Sequence, residues 1–147
     1  MPKSPPEGAS RITPMLTYDN AAEAIEFLCR VFGFQETFRM DMPGGKIGHA
    51  ELAYDDGVIM LASAFPDMGL MSAREFEGRY AQLYVYVDDV DAHFAHAKAQ
   101  GADIIAEPQD MFYGDKRYQV ADIEGHQWFF ATKVRDVPPE ELVIPND

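Results

Sequence analysis

The chain comes close to repeating itself. Leu16-Thr17-Tyr18-Asp19-Asn20 leads into a helical run that stops at Gly33, and Val85-Tyr86-Val87-Asp88-Asp89 leads into a second that stops at Gly101. Further along each copy, Glu51-Leu52-Ala53-Tyr54-Asp55-Asp56-Gly57 is echoed by Gln119-Val120-Ala121-Asp122-Ile123-Glu124-Gly125. Two copies of one unit, about 69 residues apart, imply a pseudo-twofold architecture with a site where the two units face each other.

Each copy reads β-α-β-β-β, an α+β pattern. Strands are expected at 12–17, 37–42, 47–54 and 58–62 in the first half. In the second they are expected at 82–87, 104–107, 118–122 and 127–133. Asn20 with Glu23 fits a capping box, and Ala21, Ala24, Ile25, Leu28, Val31 and Phe32 recur at helical spacing before Gly33. Asp89 can cap a second helix through Gln100, with Val90, Phe94 and Ala97 inward and His93 and His96 on its solvated side. Asp55-Asp56-Gly57 and Glu124-Gly125 are hairpin turns. The stretch 63–78, with Phe65, Met68, Leu70 and Met71 among polar residues, is either a linker or a lid. The domain is expected over 11–134, as modules 11–64 and 80–134. The tails 1–10 and 136–147 are read as a disordered start and a surface extension.

The chain's 147 residues suffice for one domain, and 47% of them are apolar. A net charge of −13 argues against nucleic acid and anionic membrane surfaces and suits a cationic small molecule. A lone cysteine, Cys29, rules out an internal disulfide and sits among apolar helix residues as an inert thiol. The Pro-rich start resembles no signal peptide, and no run approaches the length of a membrane span, so a soluble cytoplasmic protein is expected.

Strand alternation assigns faces. Leu83, Val85, Ala50, Leu52, Trp128 and Phe130 face the helices. The opposite face collects Thr13, His49, Glu51, Gln82, Tyr84, Tyr86, Arg117, Gln119 and Phe129, a polar and aromatic mixture suited to a ligand surface. A solvated sheet face would read the same way.

These residues carry a resemblance. Asn20 to Phe27 with Phe32-Gly33-Phe34 is similar to the first-helix signature of the vicinal oxygen chelate superfamily. Asp122-Ile123-Glu124-Gly125-His126-Gln127-Trp128 resembles its closing D-P-x-G-H-x-W hairpin, with isoleucine in place of proline. Gly48-His49-Ala50-Glu51-Leu52 and Phe112-Tyr113-Gly114-Asp115-Lys116-Arg117 resemble the glyoxalase/bleomycin resistance family, near its PhnB-like branch. The resemblance spans about residues 11 to 134. It implies paired βαβββ modules, a mixed sheet curled around a cavity, and a homodimer. It also implies metal-ligand positions at Thr13, Gln82, Glu51 and Phe129.

Those positions depart from a catalytic metal site, which wants about three imidazole, thiolate or carboxylate donors. Only Glu51 qualifies. The expectation is therefore a protein without a metal cofactor that binds a small organic, cationic ligand. Tyr84, Tyr86 and Phe129 would supply flat surfaces, and His49, Gln82 and Arg117 would orient the ligand with Glu51. Lys116-Arg117 would hold an anionic group or balance Asp115. The alternative is a divalent-metal lyase, isomerase or dioxygenase with Glu51 as ligand or catalytic base, helped by His49 and Gln82. A vestigial cavity with a protein-binding loop at 65–71 is a third reading. No Ser/His/Asp or Cys/His nucleophile pattern is present.

Overall fold

The structure, a computed structural model, describes residues 2–145. It divides into a unit ending at Glu77 and a unit beginning at Gly78. The first contains β1 (Met15–Tyr18), α1 (Ala21–Phe32), β2 (Gln35–Met42), β3 (Lys46–Tyr54) and β4 (Gly57–Ser63). Its sheet has the order β1-β4-β3-β2, with β1 parallel to β4 and the other pairs antiparallel. The second contains β5 (Gln82–Tyr86), α2 (Val90–Ala99), β6 (Asp103–Asp110), β7 (Asp115–Ala121) and β8 (Gln127–Lys133). Its order is β5-β8-β7-β6, again with one parallel pair, β5 with β8. The α+β architecture and the βαβββ plan of each unit are as the repeat predicts.

Helix α1 starts where Asn20 accepts a hydrogen bond from the Glu23 backbone N–H at 3.1 Å. Glu23 returns the contact through its carboxylate, which accepts from the Asn20 side-chain amide at 3.1 Å. The helix ends at Gly33, whose φ of 88° is left-handed. Its stripe of Ala21, Ala24, Ile25, Leu28, Val31 and Phe32, widened by Phe27, is buried against the sheet's Tyr18, Ile47, Ala50, Leu52, Ile59 and Leu61. Each large aliphatic or aromatic side chain so covered contributes about 1.5–3 kcal/mol.

Helix α2 has a weaker apolar stripe and buries only Val90 and Ala97 fully. It is anchored by polar contacts instead. Asp89 caps it by accepting from the Ala92 N–H at 3.1 Å. Thr132 on β8 accepts from the Val90 N–H at 2.9 Å and donates to the Val87 carbonyl at 2.8 Å. Beneath α2 lie Trp128, Phe130 and Tyr118, with Trp128 and Phe130 rings parallel at 6.0 Å. His93 corrects the sequence reading. It is half-buried, stacks on Phe130 at 4.3 Å and hydrogen-bonds the Tyr118 hydroxyl at 2.6 Å. Phe94 is half-buried and meets the Tyr118 ring edge-on.

Element boundaries move where proline acts. The first strand begins at Met15 rather than Ile12. Pro14 has no N–H to give a ladder, and only its carbonyl joins, accepting from Met60 N–H at 2.9 Å. Thr13 therefore lies ahead of the strand. Conversely, β6 runs on to Asp110 through Pro108, which an edge strand tolerates, with register shifts on either side of Ala106. Strand β7 begins at Asp115, earlier than expected. The stretch 63–78 contains two short 3-10 turns and is tied to the end of β1 by buried Ser72, which donates to Asp19 at 2.9 Å. Residues 2–14 form no helix or strand, and residues 136–145 form one 3-10 turn. Of the expected tails, Met1, Asn146 and Asp147 lie outside the described residues.

Candidate functional site

In the second unit, the sheet face away from α2 presents Gln82, Tyr84 and Tyr86 of β5, Gln127 and Phe129 of β8, and Asp115, Arg117 and Gln119 of β7. Register builds it in rows. Tyr84 lies opposite Phe129 and Phe129 opposite Gln119, while Tyr86 lies opposite Ala131 and Ala131 opposite Arg117. The centre is Asp115, a carboxylate only 4% exposed. Its Oδ2 accepts from the Tyr84 hydroxyl at 2.6 Å and from the Tyr86 hydroxyl at 2.9 Å. The Tyr113 hydroxyl lies 3.2 Å from that of Tyr84. Since Tyr84 gives its one proton to Asp115, Tyr113 must donate into Tyr84. Burial, followed by the hydrogen bonds to Asp115 and Tyr113, holds the Tyr84 phenol well above its usual range. The bond to Asp115, then burial, raises that of Tyr86.

The tyrosines form a continuous aromatic surface. Ring centroids of Tyr84 and Tyr86 are 5.5 Å apart and those of Tyr84 and Phe129 are 5.8 Å apart. Arg117 lies over Phe129 with its guanidinium carbon 4.3 Å from the ring centroid, and 5.8 Å from that of Tyr113. Beside it is a recess of about 140 Å³ lined by Ala106, Glu107, Gln109, Arg117, Tyr118, Gln119 and Phe129. Gln119 donates to Gln127 at 2.7 Å. Arg117 does not balance Asp115, since phenols occupy that carboxylate, and Lys116 is turned to Asp91 at 2.9 Å.

In the first unit the face away from α1 carries Met15, Met60, Glu51 and Phe38 in one cross-strand row, with His49 opposite Met40 alongside. His49 Nε2 and Glu51 Oε1 are 3.4 Å apart, both partly exposed. The Thr37 hydroxyl donates to the Glu51 carbonyl at a bulge in β2. Cys29 is half-buried, and burial raises its thiol, which suits an inert side chain.

The structure therefore brings Tyr84, Tyr86, Phe129 and Arg117 together on one face, with Gln82 at the start of β5 opposite Gln127. It pairs His49 with Glu51 in the other unit. Sequence reasoning missed Asp115 and Tyr113 as members. The only signal for Asp115 was the Asp-Lys-Arg run, which suggests neighbouring ion pairs, whereas its partners come from β5. The donor chemistry does not fit a catalytic divalent metal. Phe129 has no donor and lies under Arg117, Thr13 precedes the strand, and Glu51 is the one carboxylate of the four positions. Among the described residues no three His, Cys, Asp or Glu side chains gather as a metal-binding group.

Comparison with known proteins accords with this architecture. A model of the Glyoxalase/Bleomycin resistance protein/Dioxygenase superfamily matches residues 11–130. An uncharacterised protein of Mycobacterium bovis is 34% identical over 134 residues, covering 89% of this chain and 88% of its own. The crystal structure of TioX from Micromonospora sp. ML1 is similar at 34% identity and a TM-score of 0.69, covering 86% of this chain and all of that one. FosX, a fosfomycin resistance protein from Listeria monocytogenes, shares the fold at 14% identity and a TM-score of 0.62, covering 92% of this chain and 98% of its own. With most of its length matched by the family model, this chain belongs to the glyoxalase/bleomycin resistance/dioxygenase superfamily.

Proposed function

We propose that the protein binds a small organic molecule on the aromatic face of its second unit, without the metal site found in other members of its superfamily. The observation that carries this reading is the Tyr113–Tyr84–Asp115–Tyr86 network. A buried carboxylate fixes two phenols, Tyr84 and Tyr86, and Tyr113 joins through Tyr84, so a flat ligand meets preset rings beside Phe129 rather than mobile ones. The recess of about 140 Å³ is close to the volume that accommodates one benzene ring, on the order of 150 Å³. A homodimer is part of the reading. The exposed apolar side chains Phe38, Met40 and Met42 on edge strand β2 suit a second copy.

The test is a screen of flat aromatic compounds with chelator present, on wild type, Phe129→Ala and Glu51→Ala. Binding that survives chelator and weakens about tenfold in Phe129→Ala supports the reading. Binding or turnover that requires nickel, zinc, manganese or iron(II) and disappears in Glu51→Ala overturns it. That result would favour a metal-dependent lyase, isomerase or dioxygenase centred on the Glu51–His49 pair.

A further inference from the structure

Arg117 is a cation whose contacts are aromatic rings. The sequence has 25 acidic residues against 12 basic ones, so carboxylates outnumber cations about two to one. Five other cations use that surplus. Lys116 pairs with Asp91, Lys133 with Asp136, Lys98 with Glu107, Arg39 with Glu36 and Arg30 with Glu26. Arg117 makes no ion pair and no side-chain hydrogen bond among the described residues. The nearest carboxylate along its own strand, Asp115, gives Oδ2 to two phenol hydroxyls. Its contacts are with rings, Phe129 at 4.3 Å and Tyr113 at 5.8 Å. With its guanidinium carbon over those rings and no side-chain hydrogen bond made among the described residues, its N–H groups are left to an acceptor from outside.

The other polar groups lining the recess have contacts of their own, Gln109 donating to the Met111 sulfur at 3.6 Å. Gln119 gives its amide N–H to Gln127, and Tyr118 is buried on the helix side. Glu107 is exposed and faces Lys98. The recess thus sets one apolar ring, Phe129, beside one cation without an ion pair among the described residues, Arg117, with the Glu107 carboxylate at its exposed rim turned to Lys98.

We infer that the ligand of this face carries an acidic group, a carboxylate or comparable planar oxyanion attached to an aromatic body, which takes the in-plane N–H groups of Arg117. The inference rests on the binding reading above and specifies an anionic ligand where the sequence suggested a cationic one.

Three probes with one ring system decide it: naphthoate, its planar neutral isostere naphthamide, and the cation naphthylmethylammonium. Each is titrated into the full chain while the Arg117 Nε–H and Phe129 amide resonances are followed by NMR. Naphthoate is expected to bind about tenfold more tightly than the other two. Arg117→Gln should weaken naphthoate far more than naphthamide and bring the two to the same level, with the amide NMR spectrum of the free variant reporting that it is folded. Arg117→Lys, with charge but no fork, should recover only part of the difference. Equal binding of all three probes, preference for the ammonium, or equal weakening of all three in Arg117→Gln overturns the acidic-ligand inference and leaves the binding reading standing. No perturbation by any probe at millimolar concentration overturns both.

Discussion

Asp122 shows how a motif that looks functional can be structural. It is 5% exposed. Its Oδ1 accepts from the backbone N–H groups of Glu124 and His126, each at 3.1 Å, and its Oδ2 from the Trp128 indole at 3.1 Å. The Asp-x-x-Gly-His-x-Trp spacing is thus the geometry of one carboxylate closing a turn and orienting the largest core side chain, with Gly125 supplying a φ of 96°. His126 takes its place through its backbone. Asp122→Ala would strand three donors, two of them backbone, and is expected to lower unfolding free energy by about 3 kcal/mol or more, read by urea denaturation. Asp122→Asn keeps two acceptor positions' worth of oxygen on one side only and should cost less. At the same scale, Tyr84 makes a pH prediction. Its phenol is held protonated in the folded protein, while in the unfolded chain it ionises near pH 10. Above that pH the unfolded state binds fewer protons than the native one, so stability must fall as pH rises through and beyond 10. Tyr84→Phe should flatten that decline, measured as denaturation midpoints across alkaline pH.

The two helices of the repeat are held by different means, and a mutation separates them. Helix α1 carries a continuous apolar stripe, whereas α2 depends on its Asp89 cap and on Thr132, which joins the Val90 N–H to the Val87 carbonyl. Thr132→Val keeps shape and removes both bonds. It should cost about 1–3 kcal/mol and raise hydrogen exchange at the start of α2 while α1 stays protected. This contrast also marks what sequence could reveal. Asn20, Gly33 and the α1 stripe are local signals, and they placed the helix to within a residue. Alternation placed Tyr84, Tyr86, Phe129, Arg117 and Gln119 on one face because strand parity is local as well. The partners of Asp115 are not local. They come from β5, about 30 positions away, through a sheet register no single strand encodes. His93 was missed for a related reason: polar type and helical position suggest solvent, but the aromatic residues of β7 and β8 beneath it offer a hydroxyl and a ring. Strand limits shifted at Pro14 and Pro108 because proline's effect depends on whether its edge is paired.

Across the whole chain, the net charge of −13 and the single cation of the recess act on an acidic ligand in opposite directions. The distributed charge repels an approaching anion over distances comparable to the Debye length, about 30 Å at 0.01 M salt and about 10 Å at 0.1 M. The contact with Arg117 is short-ranged and backed by the rings of Phe129 and Tyr113, so the same salt screens it less. Association of naphthoate should therefore speed up as ionic strength rises from about 0.01 M to 0.1 M, while association of naphthylmethylammonium slows. Dissociation of naphthoate should change little over that range, because it breaks the stacked, desolvated contact rather than the long-range field. Stopped-flow fluorescence separates the two rate constants. A naphthoate association rate that falls with salt would mean that the acidic group meets a locally positive field extending well beyond Arg117. The balance of charges around the second unit's face would then have to be redrawn.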